Sequence, residues 1–340
     1  MVDSMRQANP VDDPIIGSSG CDGPVGSRLE RFAAAISNRL DRDPIDPLSR
    51  AGSFMRDEPR DFMFPSDPSS TPDLSCATGQ IMGIWRLGEE LTVRQPEVGS
   101  GSRLFAAQPA DSQGSPRFDY VLKTASGDTS AARQILATVA AAGITHPNLI
   151  ATLDASTSGT SPYVVMPRLE ALPLDQRIDG MSAFTLPVAL WMTRQVAQAS
   201  LAMHESGWIH GDIKPANVLV DDRGHVTLID LGFAARIHSP MPALFRGTPD
   251  YASPELIDGS TAALPGMDVF AIGKMLWHSL TKIVDADSML VGNTAELVEA
   301  MLEPDPSDRP SCGTIVSELL ALEIDSLGSH IVPARRRRAA

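Results

Sequence analysis

The run His210-Gly211-Asp212-Ile213-Lys214-Pro215-Ala216-Asn217, followed downstream by Asp230-Leu231-Gly232, constrains this chain more than any other feature. In order it offers a carboxylate able to accept a proton, a compact ammonium, and then an amide and a second carboxylate, both oxygen donors suited to a hard divalent cation. Read as ordinary structure, these are polar turns flanking two short apolar runs, Val218-Leu219-Val220 and Val226-Thr227-Leu228-Ile229. A turn needs neither the lysine nor the asparagine at those offsets. The donor set suits phosphoryl transfer, in which a protein mostly positions reactants and neutralises charge.

Charge and composition exclude several other classes. A formal net charge of -14 argues against general nucleic-acid binding, which needs a basic surface. The three cysteines, Cys21, Cys76 and Cys312, are odd in number and share no ligand-like spacing, so reduced thiols are expected rather than a zinc site or disulfide framework. Met1 to Pro10 is polar and lacks the apolar stretch of a secretion signal. No run approaches the ~18 consecutive apolar residues of a membrane helix. A cytoplasmic protein without membrane association is expected.

Three zones are expected along the chain. Residues 1–78 are rich in Asp, Pro, Ser and Gly and cannot bury enough apolar surface to offset their ordering entropy, which predicts a disordered extension. Within it, Leu29, Phe32, Ile36 and Leu40 fall at helical spacing, the pattern of a transient helix or a short docking helix. A folded domain is expected over 79–325, and a basic disordered tail over 326–340, carrying Arg335 to Arg338. The folded part opens with strand-like stretches, clearest at Leu104–Ala107 and Tyr120–Thr124. Thr129–Ala142 reads as a helix, and Leu149–Leu153 and Tyr163–Met166 as strands. After that the periodicity is helical: Met192, Val196, Ala199 and Met203 mark one buried stripe, and Val269, Ile272, Leu276 and Leu280 another. A strand-rich half followed by a helix-rich half predicts two lobes with a ligand cleft between them.

The run at 210–217 and Asp230-Leu231-Gly232 resemble the catalytic loop and metal-binding motif of the eukaryotic-type serine/threonine protein kinase family. The resemblance implies an α+β bilobal kinase fold, with a small β-rich N-lobe and a larger helical C-lobe. It implies ATP and Mg2+ as substrate and cofactor, with Asp212 orienting the acceptor hydroxyl and Lys214 stabilising the transferring phosphoryl group. Asn217 and Asp230 become the metal ligands, and Lys123, ending the run Phe118-Asp119-Tyr120-Val121-Leu122, becomes the contact to the nucleotide phosphates. The composition sharpens that assignment. The chain has only four lysines (123, 214, 274 and 282) among its 28 cationic residues, so it uses Arg wherever a generic cation serves. Gly247-Thr248-Pro249-Asp250-Tyr251-Ala252-Ser253-Pro254-Glu255 resembles the end of an activation segment, and by the same resemblance Glu255 pairs with Arg309 while Asp268 holds the catalytic-loop backbone. Lys214 with Thr248 follows the family's serine/threonine pattern, which implies a Ser or Thr acceptor on a protein substrate. His146, in His146-Pro147-Asn148, and the four tryptophans are read as structural.

The chain departs from the family pattern in several places. Val98-Gly99-Ser100-Gly101-Ser102 has glycines at 99 and 101 but no clean glycine-rich loop, so its amides cover a nucleotide's phosphates less closely. The helix after Lys123 should carry a glutamate to pair with it, yet no acidic residue lies between Asp128 and Asp154, and Gln134 occupies that place. A glutamine hydrogen-bonds an ammonium without adding charge, a loss of about 1–2 kcal/mol in positioning. Gly211 replaces the arginine that receives an activation-loop phosphate, and Ser239 is left as a phosphosite without a particular receiver. The stretch Ile283 to Gly292 is short, which predicts a trimmed docking face for substrate. The expected function is ATP-dependent phosphorylation of Ser and Thr on proteins. A pseudokinase that binds nucleotide or a partner is the alternative, and a small-molecule kinase a third.

Overall fold

A computed structural model describes residues 79–91, 102–112, 117–125, 129–157, 161–181, 184–241, 245, 247–259, 262–283 and 287–330. The helix-spaced run at 29–40, the glycines at 99 and 101, Cys21, Cys76 and the Arg335–Arg338 tail lie outside them.

The first half builds one antiparallel sheet from β1 (Ile81–Met82), β2 (Trp85–Glu90), β3 (Ser102–Pro109), β4 (Tyr120–Ala125), β5 (Asp154–Ser156) and β6 (Tyr163–Pro167), in the order β1-β2-β3-β4-β6-β5. Its two faces separate by the period of two. On one face Trp85, Leu87, Phe105, Ala107, Leu122, Tyr163 and Val165 make a core, with Tyr120 edge-on to Trp85 at 5.0 Å. The other face carries Val164, which packs with Ala131 and Ile135 of helix α1 (Thr129–Ala141). Lys123 lies directly across from Val164, so it leaves the sheet on the α1 side. Alternation alone therefore keeps Lys123 out of the apolar core while its neighbour Leu122 fills it.

The second half is helical. After β7 (Leu172–Pro173) and α2 (Leu174–Asp179) comes α3 (Leu186–Glu205), whose buried stripe contains Met192, Val196, Ala199 and Met203 as the spacing predicts. Two short antiparallel hairpin strands, β9 (Val218–Val220) and β10 (Val226–Leu228), follow β8 (Trp208–Ile209), and β11 (Ala235–Arg236) pairs back onto β8. Helices α4 (Pro254–Asp258), α5 (Pro265–Leu280), α6 (Ser288–Met301) and α7 (Cys312–His330) complete the lobe. Val269, Ile272, Leu276 and Leu280 of α5 are all buried, and Arg194 of α3 pairs with Glu323 of α7 at 2.8 Å. The architecture is that expected, a curled sheet lobe followed by a helical lobe.

Two boundaries differ from the sequence reading. Leu149–Leu153 is not a strand: it makes one parallel bridge, Leu149 to Leu228, and Ile150 N–H donates to the Leu228 carbonyl at 2.9 Å. The Leu149 N–H instead donates to the His146 carbonyl and the Leu153 N–H to the Val165 carbonyl of β6, so an apolar run that looks like a sheet strand works as a connector between β10 and β6. The strand begins only at Asp154. Helix α7 also runs to His330, past the expected domain end at 325.

Candidate active site

The site is assembled from β4, the loop after β8 and the turn after β10. Asp268, 1% exposed on α5, accepts the His210 N–H at 2.8 Å and the Gly211 N–H at 2.9 Å, which fixes the loop backbone. His204, at the end of α3, bonds the same carboxylate at 2.9 Å. Sequence reading missed His204, since a single histidine in an apolar helix carries no signal of its partner. Burial alone would raise the Asp268 carboxyl, but the hydrogen bond and charge of His204, with the Gly211 N–H, hold it below the usual carboxylate range. A carboxyl depressed in the folded state contributes stability above its unfolded value and loses it as pH falls. Unfolding free energy should therefore begin to drop as pH falls through the unfolded value near ~3.9 and keep dropping through the lower folded value. Asp268→Asn should flatten that acid limb in denaturant titrations; an unchanged limb would contradict the assignment.

His210 Nε2 faces the Ile229 carbonyl at 3.0 Å and must donate to it, so Nδ1 is the acceptor that takes the Asp212 N–H at 3.3 Å. One neutral imidazole thus ties the loop to the strand leading into Asp230. Asp212 Oδ2 accepts from Asn217 Nδ2 at 3.0 Å and pairs with the Lys214 ammonium at 3.0 Å, and Asn217 Nδ2 also donates to the Asp212 carbonyl at 2.8 Å. Lys214 Nζ reaches Thr248 Oγ1 at 2.6 Å, joining the loop to the activation-segment stretch.

Lys123 Nζ bonds Asp230 Oδ1 at 2.7 Å. Burial would raise Asp230, and the adjacent Lys123 charge and hydrogen bond hold it below the usual carboxylate range. Asp230 sits in the left-handed region at φ 66, and the same Oδ1 accepts the Gly232 N–H at 3.3 Å. Gly232 leaves little room for a side chain: a Cβ there would lie 3.0 Å from Asp230 Oδ1 and 3.0 Å from Gln134 Cβ. The stem of Gln134 thus packs on the Gly232 backbone, and the Lys123 ammonium bonds the metal-motif aspartate rather than a group on α1.

Gly211 is constrained more tightly. Its φ is 80, and a Cβ would stand 2.7 Å from the Phe233 carbonyl oxygen. Gly211→Ala is expected to destabilise the protein by roughly 1–3 kcal/mol of backbone strain, at about 2–4 °C of Tm per kcal/mol. A thermal scan with no loss would show that the loop relaxes.

Outside the centre, Arg309 and Glu255 form the two-pronged pair expected, at 2.6 and 3.0 Å. His146 Nδ1 accepts the Asn148 N–H at 3.1 Å, and burial, with the His225 charge, pushes its pKa down, which suits a neutral structural role. Ser239 Oγ donates to the Arg236 carbonyl at 2.6 Å. Cys312 is a free, buried thiol whose pKa burial pushes up. Among the described residues no helix is long and apolar enough to cross a membrane.

Residues 123–288 match the model of the protein kinase domain. Over that stretch the chain belongs to the protein kinase family. It is 26% identical over 194 residues to the probable serine/threonine-protein kinase pknA2 of Bifidobacterium longum, covering 55% of this chain and 26% of that protein. It is 32% identical over 199 residues to serine/threonine-protein kinase PksC of Streptomyces coelicolor, covering 53% and 36% respectively. Over 134 residues it is 36% identical to serine/threonine-protein kinase PSK2 of Saccharomyces cerevisiae, covering 39% and 12%. The matched region is therefore a minor part of each of these relatives.

Protein kinases use ATP and magnesium. The donor set here fits that cation. Both amide hydrogens of Asn217 serve Asp212, which leaves its Oδ1 as acceptor, and Asp230 keeps Oδ2 beside the oxygen that meets Lys123. Both are hard oxygens, the donors that magnesium prefers. Among the described residues no group of three or more His, Cys, Asp or Glu forms a separate metal cage.

Proposed function

We propose that this chain is an ATP-dependent protein kinase that phosphorylates Ser or Thr hydroxyls of protein substrates. The observation that carries the reading is the contact set around Asp212: Asn217 and Lys214 on one carboxylate oxygen, and Lys214 on Thr248. A carboxylate held on one oxygen keeps the other for an incoming hydroxyl proton, and Lys214 is placed to offset charge on the transferred group. The acceptor oxygen attacks the γ-phosphorus as the bond to the β-phosphate oxygen breaks, and Asp212 takes the hydroxyl proton. Lys123 is the nucleotide contact, and Gly99 and Gly101 would contribute to nucleotide binding. Asn217 and Asp230 would hold magnesium, which would supply positive charge to offset that of the nucleotide's phosphates. The Lys214–Thr248 contact supports an alcohol acceptor. The net charge of -14 supports a protein rather than a nucleic-acid partner, and the buried free Cys312 supports a reducing, cytoplasmic setting.

The test is transfer of label from radiolabelled ATP, with magnesium, to a generic basic protein, beside Asp212→Ala. Label in the wild type alone is expected. Nucleotide that stabilises the fold without any transfer would instead make the chain a binding module. A screen that labels a metabolite and no protein would make it a small-molecule kinase.

Gln134 sets a second expectation. Lys123 shares Asp230 with magnesium in this reading, because α1 offers no carboxylate. Gln134→Glu should supply one and raise kcat/KM for ATP by roughly fivefold, equivalent to ~1 kcal/mol. A fall in kcat/KM would show that the new charge repels Asp230 instead.

A further inference from the structure

Besides the cleft that holds Lys123 and Asp230, a cavity of about 540 Å3 opens between α1 and the stretch from Phe233 to Met241. Lys123, Asp212, Asn217 and Asp230 do not line it. Its walls are mostly apolar and include Leu136, Ala137, Trp208, Phe233, Met241 and Phe245. Leu136 is 46% exposed, so α1 turns a branched apolar side chain to solvent at this place.

Two guanidinium groups line the same cavity, Arg133 on α1 and Arg236 on β11. Arg236 is held over the Trp208 ring at 4.9 Å. Among the described residues neither pairs with a carboxylate, so both guanidinium forks keep their charge for an incoming anion. Gly211 also lines the cavity and cannot carry a side chain, so the space is not filled from the catalytic loop.

We propose that this cavity binds a small amphiphilic anion. Its charged head sits on Arg133 and Arg236, and its apolar body lies against Leu136, Phe233, Met241 and Phe245. The volume falls in the range of roughly 300–1,000 Å3 usual for small-molecule sites, which combine apolar walls with a few convergent polar groups. Planar guanidinium forks suit a carboxylate, phosphate or sulfonate head better than an ammonium does. Gln134 and Gly232 are also part of the lining and pack on each other beside Asp230. An occupant therefore touches the residues that back the Lys123–Asp230 pair.

Binding is read without catalysis, by fluorescence titration of the full chain with 1-anilinonaphthalene-8-sulfonate and by displacement with decanoate. The expected result is saturable binding that decanoate displaces and Mg-ATP does not. Affinity should fall at least about tenfold in Arg133→Met/Arg236→Met. It should be lost in Ala140→Trp, which fills the cavity from an exposed position on α1 and so keeps the fold. Displacement by Mg-ATP would place the probe in the nucleotide cleft and overturn the proposal. So would absence of saturable binding, or titrations unchanged in the folded variants, as judged by thermal unfolding.

Discussion

Asp212→Ala is expected to lower phosphate transfer by roughly 10²–10⁴-fold, the usual contribution of a positioned proton acceptor. The size of the loss follows from how the carboxylate is held. Asn217 Nδ2 and Lys214 Nζ both reach Oδ2 at 3.0 Å, so the side chain is oriented before any substrate arrives. Truncation removes that oriented acceptor and little else. Asn217 still donates to the backbone carbonyl of residue 212 at 2.8 Å, Lys214 still reaches Thr248, and Asp268 still holds the two N–H groups upstream. The variant should therefore unfold near the wild-type temperature and keep its stabilisation by Mg-nucleotide while label incorporation falls. Equal incorporation by both proteins would remove Asp212 from the chemistry. Joint loss of transfer and nucleotide stabilisation would mean that the side chain is structural.

The largest stability effect is expected at Arg309. Its side chain is fully buried, meets both oxygens of Glu255, and donates to the carbonyls of Glu303, Gly266 and Pro304 at 2.7, 2.9 and 3.1 Å. The guanidinium also lies over the Phe270 ring at 5.0 Å. Arg309→Met leaves Glu255 as a buried charge without its partner and three carbonyls without this donor. Breaking a buried pair in this way costs about 3–5 kcal/mol, or roughly 6–20 °C in Tm for a domain of this size. The desolvation of the surviving charge causes most of that loss, so Glu255→Leu/Arg309→Met should recover a large part of it. A single variant that unfolds within about 1 °C of wild type would show that water reaches Glu255 and that the pair contributes as little as a surface one.

Local chemistry and periodicity made much of this protein legible beforehand. The spacing of Met192, Val196, Ala199 and Met203 marks a helix face because 3.6 residues complete a turn, and all four are buried. Lys123 was legible for a related reason, since alternation along β4 sends it away from Leu122, and a chain this poor in lysine rarely spends one at random. The glycines at 211 and 232 stand in motifs the sequence shows, but only packed coordinates give their cause, the Phe233 carbonyl and Gln134 arriving from other segments. Leu149–Leu153 looked like a strand because apolar periodicity does not say which backbone will satisfy its hydrogen bonds; His146, Leu228 of β10 and Val165 of β6 divide them.

What the sequence determined by itself, then, is the donor set at 210–217 and 230–232, the helix faces and strand alternation, and the pairing of Glu255 with Arg309 that the family resemblance implied. Tertiary structure alone decided that Lys123 bonds Asp230, that His204 joins Asp268, and that Arg133 and Arg236 share an apolar cavity. Each of these pairs brings together residues distant in the chain. Periodicity acts over a few residues, whereas ion pairs and cavities depend on how whole elements pack, and that is settled only by the folded chain.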